Sequence, residues 1–185
     1  MDKIAIGTKN LFLPSPVTLV GAIVNNKPNY LAVAWCTIVN NMPPMATISL
    51  FRIRYTRSGI KENGTFSINI PSSKQVREID YCGIFSGRHV DKSKVFESFF
   101  GKLKTAPMIK SCPVNMECKL HSTYNIGTHD LYIGEIVEIY IDENYLVNGA
   151  PDMKSIDPML CTWKGDYWHV GEFIAKTFNA GKDFK

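Results

Sequence analysis

The feature that most constrains this chain is its density of short, β-branched apolar runs separated by turn residues. Val17-Thr-Leu-Val-Gly-Ala-Ile-Val24 is the longest early run, and Asn25-Asn-Lys-Pro-Asn29 follows it as a turn. Tyr30-Leu-Ala-Val-Ala-Trp-Cys36 then reads as the return strand of a hairpin. Met42-Pro-Pro44 breaks the chain before a third strand, Met45–Phe51, and Thr65–Ile70 makes a short fourth. Two long strands are predicted at Val114–Tyr124 and Asp130–Ile141, around a loop at Asn125–Gly127. Met159–Trp163 and Asp166–Val170, joined by a Lys164-Gly165 turn, close the series. So many strands need their edges covered, and closing the sheet on itself does that best. The fold class expected is mainly β, a closed or nearly closed antiparallel barrel with a few peripheral helices.

Helical signals are few. One helix is predicted from Thr56, read as its N-cap, to Gly64, read as the left-handed residue that ends it. A second opens with the capping-box spacing Ser72-Ser-Lys-Gln75 and carries Val76, Ile79 and Cys82 on one face. A looser helical stretch is expected over Ser93–Phe100. There is no repeat, low-complexity tract or flexible linker, so residues 1–185 read as one domain, long enough to bury a core without staples.

Several functions are disfavoured at this level. No apolar run approaches the ~20 residues of a membrane helix, and the first residues lack a leader pattern. Five cysteines, an odd number with no C-x-x-C pair, point to reduced thiols in a cytoplasmic protein rather than a disulfide framework. No two of His89, His121, His129 and His169 have metal-ligand spacing on a helix, so no metal is expected. The net charge of +4 is dispersed, which argues against nucleic acid as a dedicated partner. The nucleotide-binding and hydrolase motifs are missing, and no catalytic side chain stands out. Redox chemistry here would therefore come from a bound cofactor.

Two segments carry chemistry of interest. Phe51-Arg-Ile-Arg-Tyr-Thr-Arg57 runs from a strand end into a helix N-terminus, where free backbone N–H groups, Arg52, Arg54 and the Thr56 hydroxyl suit a phosphate. A solvated basic turn would have the same sequence. Ala34-Trp-Cys-Thr37 sets an aromatic ring, a thiol and a hydroxyl together, suited to the polar rim and face of a planar ring or to plain core. His129, after Gly127-Thr128, is displayed in the turn between the long strands.

Taken in order, these fragments resemble the flavin reductase-like, FMN-binding split-barrel family, flavoredoxin type. The resemblance runs from about Pro14 to Gly171. It is carried by Ser15-Pro-Val-Thr-Leu-Val20, Lys27–Thr37, Met42-Pro-Pro44, Ile48–Thr56, Gly64–Pro71, Ser86-Gly-Arg-His-Val-Asp-Lys92 and His129–Glu135. It implies an antiparallel split barrel, FMN as cofactor and a homodimer with the flavin near the interface. It implies further that Trp35, Cys36 and Thr37 line the isoalloxazine ring. Arg52, Arg54, Tyr55 and Thr56 would approach the phosphate, and Ser86, Gly87 and Lys92 would form a flavin-contacting loop. His169 matches a late family histidine near the flavin. Gly127-Thr-His129 stands where many flavin reductases carry Gly-Asp-His, a motif tied to nicotinamide binding, so the donor is open between NAD(P)H and a protein. The competing reading is a non-enzymatic barrel that uses the Arg52–Arg57 turn to hold nucleic acid or another phosphate ligand.

Overall fold

The run Thr18–Val24 (β1) is apolar at nearly every position because both of its faces are covered. In this computed structural model, which describes residues 2–182 and 184, Leu19 and Val20 are each fully buried. Successive strand residues point to opposite faces. Val20 enters a cluster with Ile48, Leu50, Phe66 and Tyr132, and Leu19 enters another with Tyr30, Ile79 and Phe96. β1 pairs with Lys27–Val33 (β2) across a two-residue turn in which Asn25 and Asn26 have φ of 49° and 61°. Asparagine tolerates that conformation, and two such residues match the twist of a tight hairpin. The turn is thus shorter than expected and the strand begins earlier. It includes Pro28, which costs little because β2 is an edge strand.

β2 also stops early. Cys36–Asn41 forms a separate strand (β3), turned by Met42–Pro43 into Pro44–Phe51 (β4). The expected strand Tyr30–Cys36 was therefore two elements, and β3 was hidden because its apolar residues face outward. The sheet is completed by Thr65–Ile70 (β5), Val114–Asn125 (β6) and His129–Ile141 (β7). Its order is β2-β1-β5-β6-β7-β4-β3, with every pairing antiparallel. Leu31 and Val33 of β2 share one core with Ile48 and Leu50 of β4, although these strands lie near opposite ends of that order. The sheet has curled into a split barrel.

Two helices dress the barrel. Thr56–Asn63 (α1) ends at Gly64, left-handed as expected. Thr56 is not its N-cap: Tyr55 holds that place with no side-chain cap, and the buried Thr56 hydroxyl accepts a hydrogen bond from Asn29 Nδ2 at 2.8 Å. Gly59 lets α1 sit directly on β1, since a Cβ there would strike the Ile23 carbonyl. The capping box of Ser72 and Gln75 opens a short 3-10 turn that continues as Val76–Ile84 (α2), with Ile79 and Cys82 buried.

The expected helical stretch at Ser93–Phe100 is a correction. A single turn at Lys92–Lys94, capped by the Asp91 side chain, gives way to Ser98–Phe99, paired with Met108–Ile109. Packing overrides local preference there, because Phe96 meets Tyr30 edge-on and Ser98 shares a 2.6 Å hydrogen bond with the Tyr30 hydroxyl. The late hairpin is shorter than expected, Met159–Cys161 with Tyr167–His169, and a third strand, Ser15–Pro16, joins it.

Candidate functional site

Three predicted residues meet at one end of the barrel. Trp35 lies in the link between β2 and β3, and its carbonyl accepts from Ser49 N of β4 at 2.9 Å. Two residues further along β4 comes Phe51, which pairs across the sheet with His129, the first residue of β7. The His129 ring packs against two aromatic rings, with centroids 4.7 Å from Trp35 and 5.2 Å from Phe51. Its Nδ1 shares a 2.8 Å hydrogen bond with the Thr128 hydroxyl. Beside this group lies an apolar cleft of about 350 Å³, lined by Trp35, Cys36, Thr37, Ser49 and Leu131 and roofed by Phe12. Burial pushes the Cys36 thiol up to about 11, with a Thr18 hydrogen bond opposing, so at neutral pH it packs as a thiol.

A second, polar cleft of about 90 Å³ gathers Arg54, Tyr55 and Thr56 with Ser86, Gly87 and Lys92. Arg54 and Tyr55 come from the turn between β4 and α1 and Thr56 opens α1, while the others come from the segment after α2. Lys92 is buried, and its Nζ donates to the Tyr30 carbonyl at 2.9 Å and the Cys82 carbonyl at 2.8 Å. Arg54 donates to the Gly83 carbonyl at 3.2 Å. Both cations thus serve the last turn of α2, where positive charge is favourable. That structural duty consumes two of three ammonium donors on Lys92 and one of five guanidinium donors on Arg54. Neither cation has a carboxylate partner among the described residues. Burial lowers the Lys92 pKa; the thiol of Cys82 opposes this and the charge of Arg54 adds to it. An anion in the cleft would relieve both effects.

Arg52 does not join this cleft. Its Nε reaches Asp130 Oδ1 at 3.2 Å, beside Arg57, which holds the other oxygen of the same buried carboxylate, and Lys61 at 3.7 Å. Burial alone would raise the Asp130 pKa. Hydrogen bonds and charge from Arg57, with Arg52 and Lys61 adding, outweigh that and hold it below its ordinary value. Three cations gathered on one carboxylate make a structural knot that is still net positive. Separately, the backbone N–H of Arg52 donates to the Thr128 carbonyl at 3.0 Å.

A family model described as Flavin reductase like domain matches residues 10–165. The chain belongs to that family. Its fold is shared with flavoredoxin from Methanosarcina acetivorans, 46% identical, covering 98% of each chain with a TM-score of 0.95. Flavoredoxin of Desulfovibrio vulgaris (Miyazaki F) is 38% identical over 98% of this chain and 100% of that one, with a TM-score of 0.91. Among curated proteins, FMN reductase (NADH) RutF of Pseudomonas syringae pv. syringae is 28% identical over 61% of this chain and 62% of its own length.

Arg52, His129 and His169 line neither cleft, and His169 lies beyond the residues the family model matches. It is largely exposed on the late hairpin, with Nδ1 2.9 Å from Asp157, whose other carboxylate oxygen accepts from Ser73. Phe51, Asn29 and Asp130 are the residues that sequence reasoning passed over. Asn29 lay in a quoted motif, but only the fold brings it against Thr56 and Lys92.

Proposed function

We propose that this chain is an FMN-dependent oxidoreductase that works as a flavoredoxin-like electron carrier, with the aromatic cleft taking the ring and the polar cleft taking the phosphate. The observation that carries the reading is the buried Lys92 ammonium beside Arg54, both without a carboxylate partner. The residues present fit FMN. Arg54 follows Phe51 by one turn, its N–H donating to the Phe51 carbonyl at 2.9 Å, so the aromatic group and the cations flank the same turn. When bound, FMN supplies hydride or one-electron chemistry at its ring. The protein's part is to bind, orient and shield. Lys92 and Arg54 hold the anion, Trp35 offers a flat apolar face, and the backbone at Cys36 and Thr37 presents polar atoms to a ring edge.

The carrier is preferred over an NAD(P)H-dependent reductase because of His129. With Trp35 and Phe51 packed against it, the histidine is already engaged within the protein, and Thr128 stands where an acid is usual in that motif. Purified protein should be yellow with one FMN per chain. Anaerobic addition of NADH or NADPH should leave the flavin band unbleached, and a reduced ferredoxin-like donor should bleach it. Rapid bleaching by either nucleotide would replace the carrier by a reductase, and a colourless protein that takes up no FMN would refute the site.

The same reading includes a homodimer. β3 exposes Ile38 at 58% and Val39 at 47% on an edge strand, at the bulge that shifts its register between Ile38 and Asn40. Such an edge invites pairing, and a second copy of the chain would cover it. Because β3 begins at Cys36, this interface adjoins the ring cleft. The five cysteines, all free, fit a reducing cytoplasm.

A further inference from the structure

The ring cleft opens beside a lip that carries positive charge. Lys9 directly precedes Asn10, and Asn10 and Phe12 line the cleft. Ser15 and Pro16 line it too, and they pair with Cys161 and Leu160 of the late hairpin. The turn that follows Cys161 therefore stands at the same mouth. Two ammonium groups meet the Trp163 ring there, Lys9 Nζ at 5.1 Å and Lys164 Nζ at 5.8 Å from its centre. The net-positive knot of Arg52, Arg57 and Lys61 on Asp130 adjoins the Phe51 end of the aromatic group.

Nothing nearby in the chain offsets the charge of the lip. No acid lines the cleft. None occurs from Lys3 to Pro16 or from Pro158 to Gly165. Asp166, the next residue, accepts from the Thr162 hydroxyl at 3.1 Å. Neither Lys9 nor Lys164 has a carboxylate partner among the described residues. Between the charges the lip is apolar: Phe12 is 81% exposed and Trp163 44%. Ammonium groups over an indole keep their charge while the ring steadies their position. A large aromatic with cations around it has the anatomy of a protein interface, an apolar centre within a charged rim. A lipid surface is held by a longer run of cations, about four to eight, and this lip has two lysines.

We infer that this lip is the docking surface for an acidic electron-transfer protein, with Trp163 as its apolar anchor and Lys9 and Lys164 as its steering charges. This rests on the carrier reading above and names the partner's chemistry. Two reduced partner molecules each give one electron, the bound flavin takes both with two protons from solvent, and both partners leave oxidised. Binding of an oxidised acidic ferredoxin to the oxidised holoprotein is measured by calorimetry, and flavin reduction by the reduced ferredoxin by stopped flow. K9E/K164E should weaken binding and slow reduction about tenfold at ~10 mM salt, and the difference should close as added salt screens the charges. FMN content and reduction by dithionite should match wild type. Transfer from the reduced holoprotein to cytochrome c, a basic protein, should instead speed up in K9E/K164E. Unchanged ferredoxin affinity and rate in K9E/K164E would overturn the inference. So would an equal loss in K104E/K119E, which alters net charge by the same amount at residues outside the lip. Phosphatidylserine vesicles that bind wild type but not K9E/K164E, with ferredoxin unaffected, would assign the lip to a membrane and overturn it as well. A ferredoxin that docks as stated yet leaves the flavin oxidised would uphold the surface and sink the carrier reading.

Discussion

Replacing Asp130 by Asn tests whether the basic turn is a structural knot. The carboxylate is 3% exposed and is shared by Arg52, Arg57 and Lys61. Arg52 and Lys61 are 40% and 53% exposed, so each pairing contributes at most about 1 kcal/mol. Arg57 is only 19% exposed and also holds the Tyr132 hydroxyl at 3.0 Å, so its loss dominates. Breaking a buried pair on one side costs about 3–5 kcal/mol, and partial exposure places this case near the lower figure. With a urea slope of about 2–3 kcal/mol/M, the unfolding midpoint at pH 7 should fall by roughly 1 M. The sign with pH follows from the depressed carboxyl. Its stabilisation is complete above the unfolded-state value near 4 and is lost as pH falls through the lower folded-state value. The gap between wild type and D130N should therefore be widest near neutrality and close in acid. An unchanged midpoint at pH 7, or a gap that persists at low pH, would refute the argument.

Three further outcomes are expected. W35A should weaken FMN about tenfold in a fluorescence titration and shift stability by under about 1 kcal/mol, since the ring is 44% exposed. FMN affinity should decline as pH rises through the lowered Lys92 value, below 10.5, while K92R, charged throughout, keeps its affinity to higher pH. Sedimentation of I38E should show monomer where wild type is a dimer, with far-UV circular dichroism unchanged, because that side chain meets solvent in the isolated chain.

Much of the barrel was readable along the chain because its strongest signals are local. β1, β4, β5 and the two long strands keep their expected places, and Gly64 and the Ser72 capping box mark helix ends through backbone chemistry that no distant residue changes. β3 was invisible because its apolar residues face outward, where a strand pattern looks like loop. The stretch after Lys92 was misread as helical because its fate is decided by Tyr30, more than sixty residues away in sequence.

The candidate site divides in the same way. The inventory is legible along the chain: an aromatic at Trp35, cations at Arg52, Arg54 and Lys92, a displayed His129, and an order of motifs that resembles one family. How each is spent is a matter of the fold. Asp130, distant in sequence, pairs with Arg52 and Arg57, while Arg54 and Lys92 keep donors to spare because the acceptors they meet are neutral carbonyls. A charged side chain acts on whatever lies within a few ångströms, and that is set by the folding of the sheet rather than by neighbours along the chain.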